Sequence, residues 1–326
     1  MRRILVIRFS ALGDTALLVP VVCAAARAYP DRQFIVLSQE RYAGLWQGMP
    51  ANVRFAGADL HGRHHGRKGL DRLLREQRLG QADAVADMHG VWRSRYLTLR
   101  LRLHGADAAG IHKQRLARFL LTRGLCRRQL PTAVQRYLDV FSRLGMPLGE
   151  ADVRAVLPPQ GSGGRQGIGI APFAAHRGKT YPAERMQTVV RLLAERGERV
   201  VLFGGRGDEQ RLLDSWAAQY NGVESVAGRF TLAEEIQLMQ GLRLMLTMDS
   251  ANMHLASLAG TRVVSIWGAT HPLAGFLGCG QQPADCIGRD DLNCRPCSVY
   301  GKRSCRYGDY RCLDIAEQTI VRKLYD

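Results

Sequence analysis

The chain has 326 residues, 46% apolar and 23% charged, which is the composition of a soluble globular protein large enough for two domains. Its 46 Lys and Arg residues outnumber 29 Asp and Glu residues, and the resulting net charge of +17 favours anionic partners. The longest apolar run, Ala16 to Ala26, has only 11 residues and contains Pro20, so we expect no membrane-spanning helix, which needs about 20.

The first half of the chain alternates short apolar runs with helical patterns. Residues 2–10, RRILVIRFS, form an apolar run between basic residues, which is typical of a buried parallel strand. Because Arg8 and the pair Gly13-Asp14 interrupt the apolar start, we interpret it as a strand and a helix rather than as a secretory leader. We predict strands in residues 2–10, 33–39 and 82–90, and a helix in residues 12–30.

A segment rich in Pro, Gly and Ser, residues 158–167, is the best candidate for a linker. The alternation resumes after it, with predicted strands in residues 167–173, 199–205, 243–249 and 261–268, and helices in 182–197, 208–220, 231–242 and 250–260. This pattern predicts an α/β protein with two Rossmann-like domains, residues 1–160 and 161–326. We expect them to face each other across a cleft.

The junction of a strand and a helix at Asp249-Ser250 is the first candidate for a ligand site. The strand delivers Asp249 to the sheet edge where α/β proteins bind ligands, and we expect Ser250 to cap the following helix. The N-terminus of such a helix suits a phosphate, and His254 lies in the same part of it. Taken alone, these residues favour an ordinary helix cap and a surface histidine.

A longer pattern around this junction changes that interpretation. Its residues are Asp249, Ser250, His254, Ala256, Gly260, Gly268, Thr270 and Pro272. In this pattern the chain resembles the ADP-heptose:lipopolysaccharide heptosyltransferases, glycosyltransferase family nine. Similar segments elsewhere are residues 7–14, 86–94, 178–182, 201–209 and 228–236, so the resemblance covers nearly the whole chain. It implies the GT-B fold, with the acceptor in the first domain and the nucleotide-sugar donor in the second.

The resemblance also implies a reaction and the residues that carry it. The expected reaction is an inverting, metal-independent transfer of heptose from ADP-heptose to the lipopolysaccharide inner core, with no cofactor required. Asp14 is the expected base for the attacking hydroxyl, and Lys179, with Arg177 nearby, is expected to meet the leaving diphosphate. The other donor-binding residues are Glu209 at the ribose, Phe230 at the adenine, and Asp249, Ser250, Ala251, Asn252 and His254 around the phosphates or sugar.

Residues 93–128 form a strongly basic stretch, with nine Arg, one Lys and a single acid, Asp107. The resemblance implies a phosphorylated lipid acceptor, and a cationic rim suits both that acceptor and the anionic inner membrane. We therefore expect a cytoplasmic protein at the inner face of that membrane, and interpret residues 61–69 as a flexible anion-binding loop on the same rim. The candidate acceptor-binding residues are Ser10, Gly13, His89, Arg93, Arg115 and Arg118.

The sequence departs from the best-known family members in one place and keeps alternatives open. Those members carry a Thr-Thr pair shortly before the lysine, whereas this chain has Phe173, Ala174, Ala175 and His176. The change leaves room for a family-nine transferase with another nucleotide-sugar or acceptor. A basic nucleic-acid-binding protein is the alternative of a different class, but no nucleic-acid recognition motif is evident, so we expect no such partner.

Four cysteines are crowded into the C-terminal tail: Cys294, Cys297, Cys305 and Cys312. A CxxC pair opens many structural zinc sites, but the later spacing here is not of that kind. We expect packed or reduced thiols in preference to zinc, and no catalytic metal. After this tail we expect a terminal helix that packs back on the first domain.

Overall fold

The computed structural model describes residues 1–160 and 164–326; residues 161–163, in the middle of the predicted linker, lie outside the described residues. The chain divides into two compact units, residues 1–113 with 133–157 and residues 114–132 with 158–326. Residues 114–132 therefore leave the first unit and pack in the second. The prediction of a continuous first domain, residues 1–160, did not include this excursion.

The first unit is built on a five-stranded parallel sheet in the order β3-β2-β1-β4-β5. Residues 4–7 of the central strand are wholly buried, as expected for a parallel strand covered by helices on both faces. The strands are β1 (Arg2–Ile7), β2 (Arg32–Gln39), β3 (Val53–Ala58), β4 (Ala84–Asp87) and β5 (Asp107–Gly110). The helices are α1 (Leu12–Ala28), α2 (Gly66–Glu76), α3 (Trp92–Arg102), α5 (Ala133–Arg143) and α6 (Glu150–Ala155), while α4 (Arg115–Thr122) belongs to the second unit.

The second unit has a six-stranded parallel sheet in the order β11-β10-β9-β6-β7-β8. Its strands are β6 (Ile168–Ala171), β7 (Val200–Leu202), β8 (Val223–Ser225), β9 (Leu244–Met248), β10 (Arg262–Trp267) and β11 (Cys286–Gly288). Its later helices are α7 (Ala183–Ala194), α8 (Asp208–Ala217), α9 (Leu232–Gln240), α10 (Ala251–Leu258) and α11 (Glu317–Tyr325). The predicted α/β class with two parallel sheets is confirmed.

The C-terminal helix packs within its own unit, on α7. Arg185 on α7 pairs with Glu317 at 2.5 Å between Nε and Oε1, and the Tyr181 hydroxyl donates to the Ile315 carbonyl at 2.6 Å. Ile320 and Leu324 of α11 are wholly buried in the core of this unit. We had expected this helix to pack on the first domain instead.

Both sheets contain a point at which the chain changes direction across the sheet. In the first unit this point lies between β1 and β4, and in the second between β6 and β9. The loops that leave two such neighbouring strands run to opposite faces, which opens a crevice at their carboxyl ends. Arg8 and His89 follow the two strands in the first unit, and the Lys179 turn and Asp249 follow them in the second.

The histidine-rich segment 61–69 is only partly a loop, because α2 begins at Gly66. His64 is wholly buried: its Nδ1 accepts from the Asp59 N–H at 2.9 Å, and its Nε2 lies 2.9 Å from a Glu76 carboxylate oxygen. The prediction of a loop throughout was wrong, since His64 is part of the fold. Among the described residues no helix has both the length and the apolarity to cross a membrane.

Candidate active site

A buried ion pair occupies the point of direction change in the second unit. Lys179 Nζ lies 2.9 Å from Asp249 Oδ2, and the two side chains are 16% and 6% exposed. The same carboxylate oxygen accepts a hydrogen bond from the Thr270 hydroxyl at 2.8 Å. One cation, one carboxylate and one hydroxyl from the loops after β6, β9 and β10 thus converge at the edge where a ligand would bind.

The N-terminus of α10 lies beside this ion pair, but Ser250 does not cap it as we expected. Ser250 holds the N-cap position with extended backbone, φ −139° and ψ −179°, and its side chain makes no capping hydrogen bond. Its hydroxyl instead lies 3.2 Å from the Thr247 hydroxyl. That hydroxyl therefore accepts no hydrogen bond from the N–H groups of the first turn, at Ala251 and Asn252. N–H groups at a helix N-terminus are suited to binding an anion. His254, in the next turn, is buried rather than on the surface.

Close backbone packing fixes the turn that carries Lys179. The Ala269 N–H donates to the Gly178 carbonyl at 2.7 Å, and a Cβ on Gly268 would come within 2.4 Å of that carbonyl oxygen. Gly301, with φ +77°, lies against the Lys179 stem, where a Cβ would be 2.5 Å from Cγ and Cδ. The lysine stem is thereby confined between the turn and the Cys-rich tail.

Glu209, Phe230 and Arg177, three further candidates for donor binding, occupy separate positions in this unit. Glu209 lies in the first turn of α8, where one carboxylate oxygen accepts from the Gly205 N–H at 2.7 Å. Phe230 is exposed and directly precedes Thr231, the N-cap of α9. The Arg177 guanidinium lies over the Tyr310 ring, 4.9 Å from its centroid. On α9, burial raises the pKa of Glu235 to about 7.

A second ion pair, between a buried arginine and a partly exposed aspartate, occupies the corresponding point in the first unit. Arg8 Nη2 lies 2.5 Å from Asp14 Oδ2, in the first turn of α1, and Arg8 Nη1 donates to the Met88 carbonyl after β4 at 2.5 Å. The Arg8 guanidinium lies 5.7 Å from the Tyr137 ring centroid, and the Tyr137 hydroxyl donates to the Asp14 carbonyl at 3.1 Å. The candidate base is thus held through both its side chain and its backbone.

His89 follows β4 beside this pair and is held as a neutral imidazole. Burial, reinforced by the positive charge of Arg8, lowers its pKa to about 3. Its Nδ1 accepts from the Phe9 N–H at 3.4 Å, so the hydrogen is on Nε2, which lies 3.3 Å from the Ser10 hydroxyl. Ser10 and His89, both acceptor-site candidates, are therefore neighbours.

The predicted basic rim is divided between the two units. Gly13 and Arg93 lie in the first unit, in the first turns of α1 and α3, and the charge of Arg93 contributes to the low pKa of His89. Arg115 and Arg118 lie on α4 in the second unit. Arg118 is only 7% exposed, and its guanidinium donates to the Tyr300 hydroxyl at 2.7 Å. The expectation of an exposed rim residue was wrong for Arg118, because aromatic rings cover its charge.

The four tail cysteines line one cavity of about 210 Å³ in the second unit, together with several arginines and Tyr310. All four are free thiols. Burial, followed by the negative charge of neighbouring thiolates, raises the pKa of Cys297 and that of Cys312, the latter to about 11. In residues 1–160 and 164–326, no group of three or more His, Cys, Asp or Glu side chains is arranged to hold a metal ion.

Sequence reasoning missed the partners that hold the candidate catalytic groups. Arg8 was noted only as an interruption of an apolar run, although a cation directly after a buried strand is itself a signal. Thr270 belonged to the recognised pattern but had no assigned role. Tyr137 is 123 residues from Asp14 and carries no local signal.

Comparisons with known proteins identify the family. The family model for glycosyltransferase family 9 (heptosyltransferase) matches residues 70–307, more than half of the chain. Lipopolysaccharide heptosyltransferase 1 of Pseudomonas aeruginosa is 29% identical, with 94% of this chain and 88% of that protein covered. Lipopolysaccharide heptosyltransferase 1 of Salmonella typhimurium is 23% identical, with 92% and 99% covered.

Solved structures of low identity support the fold. A family 9 glycosyltransferase from Veillonella parvula superposes with a TM-score of 0.75 at 22% identity, over 99% of this chain and 96% of that one. The E. coli heptosyltransferase WaaC with ADP gives 0.68 at 19% identity, over 99% of each chain. The resemblance inferred from the sequence and the predicted enzyme class are confirmed: this chain belongs to glycosyltransferase family 9, the heptosyltransferases.

Proposed function

We propose that this protein transfers heptose from ADP-heptose to the inner core of lipopolysaccharide, with inversion at the anomeric carbon. The observation that carries the proposal is the Lys179–Asp249–Thr270 cluster beside the N-terminus of α10. A diphosphate requires positive charge, and a lysine ammonium next to a helix N-terminus supplies it. The names of the relatives, lipopolysaccharide heptosyltransferases, favour heptose as the sugar and lipopolysaccharide as the acceptor.

In the proposed reaction an acceptor hydroxyl attacks the anomeric carbon while the bond from that carbon to the diphosphate oxygen breaks. Asp14 takes the hydroxyl proton, and the electron pair of the broken bond leaves with ADP. Lys179 stabilises the charge that develops on the departing phosphate. Before the donor binds, Asp249 and Thr270 keep the ammonium in place, so little reorganisation is needed when the diphosphate arrives.

Around these groups we assign the predicted contacts to the donor and the acceptor. Glu209 is proposed for the ribose and Phe230 for the adenine, with Ser250, Ala251, Asn252 and His254 around the phosphates and sugar. Ser10, Gly13, His89 and Arg93 in the first unit, and Arg115 in the second, are proposed for the acceptor. Arg118 is not proposed as a contact, because it is buried against Tyr300. We further propose a cytoplasmic enzyme that works at the anionic inner face of the membrane where the lipid acceptor resides.

The reaction is proposed to need no metal, because Lys179 and a helix N-terminus meet the phosphate charge. Turnover with ADP-heptose should survive an excess of EDTA unchanged. Loss of turnover that Mg²⁺ or Mn²⁺ restores would contradict this assignment. A loss that only Zn²⁺ restores, together with a lowered melting temperature, would instead give the cysteine tail a structural metal.

The nucleotide can be tested directly by thermal shift with ADP, UDP, GDP and CMP. ADP should raise the melting temperature most, and Lys179→Met should remove most of that increase. Transfer is then measured with ADP-heptose and a heptose-deficient lipopolysaccharide acceptor, with product followed by mass spectrometry. A stabilisation by UDP or GDP that exceeds that by ADP would contradict the proposed donor.

A second candidate function is transfer of another sugar by the same machinery. It is favoured by residues 173–176, which provide no hydroxyl-bearing side chain next to the Lys179 turn. The hydroxyl of Thr180, just beyond the lysine, lies 3.2 Å from the Ala174 and His176 carbonyls, so it serves the turn itself. If ADP binds but ADP-heptose gives no product, a panel of ADP-sugars would test this alternative.

A further inference from the structure

Exposed apolar side chains are concentrated in one basic part of the chain. Of twelve large apolar side chains exposed among the described residues, six lie between residues 92 and 125. They are Trp92, Leu99 and Leu103 in the first unit, and Leu116, Phe119 and Leu125 in the second. Scattered single leucines on a surface are normal, whereas exposed apolar side chains that lie together within one unit mark an interaction site.

The second-unit group forms what we call the α4 face: Arg115, Leu116, Phe119, Arg123, Leu125 and Arg128. Leu116, Phe119 and Leu125 are 72%, 51% and 70% exposed, and the three arginines are exposed between and beside them. Phe119 also lies under the Arg123 guanidinium, 5.3 Å from ring centroid to carbon. Along α4, apolar and cationic side chains thus share one face of the helix.

The opposite side of α4 anchors the helix in the second unit. Leu121 is wholly buried in a cluster with Leu130 and Ala274, and Arg118 is buried against Phe276 and Tyr300. After the helix, Arg127 donates to the Arg295 carbonyl at 2.6 Å. Since these contacts fix the segment, the α4 face is a preformed surface rather than a loose loop.

The charge of the residues around the α4 face indicates which class of molecule it binds. No acidic residue occurs between Asp107 and Asp139, a span that includes the whole α4 face. Nucleic acid would use the arginines, but it gives no reason for exposed leucines. A protein partner would have to be strongly acidic to match a span that contains no acid of its own. Apolar side chains framed by arginines fit an anionic bilayer, where the former enter the headgroup boundary and the latter meet phosphates.

We propose that the α4 face is a lipid-contacting surface that seats this protein on an anionic bilayer. The proposal rests on the proposed function in one respect, since a transferase with a lipid acceptor must work at such a surface. An open groove of about 660 Å³, lined by residues 114–117 and 128–131, extends the face between Arg115 and Arg128. The proposed contact lies in the second unit, whereas the sequence analysis assigned the whole basic stretch to the first.

The test is vesicle flotation with the full-length protein and no acceptor or donor present. Vesicles of phosphatidylcholine alone are compared with vesicles that also contain phosphatidylglycerol. The protein should partition onto the anionic vesicles, and the variant Leu116→Ser/Phe119→Ser/Leu125→Ser should partition at least tenfold less. Replacing Arg115, Arg123 and Arg128 by Gln should reduce partitioning by roughly a hundredfold, because each basic residue near an anionic surface contributes roughly fivefold.

Matched controls come from other exposed residues of the chain. The control for the apolar variant is Leu212→Ser on α8. The control for the arginine variant is Arg72→Gln/Arg75→Gln/Arg322→Gln. Both controls should partition like the parent protein. Added NaCl should weaken binding of the parent and of the apolar variant, but have little effect on the arginine variant. Equal partitioning of the parent and the apolar variant would overturn the proposal. The proposal would also be overturned if the parent eluted as a dimer in gel filtration and the apolar variant as a monomer, because the face would then be an interface between copies.

Activity on a short, water-soluble core acceptor separates this proposal from the proposed function. The apolar variant should keep the parent rate on that acceptor, because none of its three residues is assigned to the site. An active enzyme that fails to float would overturn only the lipid-contacting surface. A protein that floats but shows no transfer from ADP-heptose would overturn only the proposed function.

Discussion

The two units place a largely buried ion pair at the same point of their sheets, but they use its members differently. In the first unit, Arg8 pairs with Asp14 and reaches across to the Met88 carbonyl, so the cation joins the ends of β1 and β4. In the second unit, Lys179 after β6 pairs with Asp249 after β9. In both cases a cation joins the two strand ends at which the chain changes direction.

The difference lies in which partner we assign to the chemistry. A base for a hydroxyl must be a proton acceptor, so the acid is the functional member in the first unit and the arginine its holder. A departing diphosphate requires positive charge, so the lysine is the functional member in the second unit and the aspartate its holder. The same point in a parallel sheet can therefore present either an acidic or a basic functional group, depending on which member of the ion pair faces the substrate.

Replacing the functional member in the first unit should have the largest effect. Asp14→Asn should lower kcat by about a thousandfold, because a general base acts in the transition state. The dissociation constant for ADP, measured by calorimetry, should stay within twofold of the parent value. Asp139→Asn, at an exposed ion pair on α5, is the matched control. A kcat within tenfold of the parent would remove Asp14 from the role of base.

Replacing the functional member in the second unit should affect both binding and chemistry. Lys179→Met should lower kcat/KM by about a hundredfold and also weaken ADP binding, since the ammonium meets the diphosphate in the ground state and the transition state. Lys323→Met, at an exposed pair on α11, serves as control. If Lys179→Met lowers kcat but leaves ADP affinity intact, the lysine does not contact the nucleotide and the comparison fails.

A smaller change tests whether the tail positions the lysine. Gly301→Ala places a Cβ against the Lys179 stem, so we expect the KM for donor to rise about tenfold, in line with a misplaced binding group. Gly308→Ala is a close control, because Gly308 has φ +78° but no atom within 4 Å of an added Cβ. Both variants strain the backbone alike and should lose about 1 kcal/mol of stability. Equal KM values in the two variants would show that the contact with Lys179 is unimportant.

The sequence predicted the fold class well because parallel strands and their helices carry local periodic signals. It could not predict that α4 leaves the first unit, since nothing within residues 114–132 encodes which sheet they pack against. That choice depends on distant partners such as Tyr300, which covers Arg118. The basic stretch was therefore assigned as a block to one domain, whereas the structure divides it.

The candidate site shows the same limit at the scale of side chains. Asp14, Lys179 and Asp249 were predicted as site residues because they lie in recognised segments after strands. The contacts between them and their holders were not predicted, since Arg8–Asp14 depends on a helix start and Lys179–Asp249 on neighbouring strands far apart in sequence. Ser250 illustrates the opposite error: a residue typical of a helix cap makes no capping hydrogen bond here.

The smallest predicted effect sharpens the comparison through pH. His89 adjoins the Arg8–Asp14 pair, and its pKa of about 3 lies below the value of 6.5 expected in the unfolded chain. The unfolded state therefore binds more protons than the folded state between these values, so stability is present above pH 6.5 and falls as the pH decreases. At pH 5 the loss due to His89 should be about 2 kcal/mol, and His89→Gln should reduce the acid destabilisation of the protein by about that amount. Urea unfolding at pH 7 and pH 5 measures it, with His104→Gln as an exposed control. An unchanged pH dependence in His89→Gln would mean that a titratable group other than His89 governs the acid sensitivity of the protein.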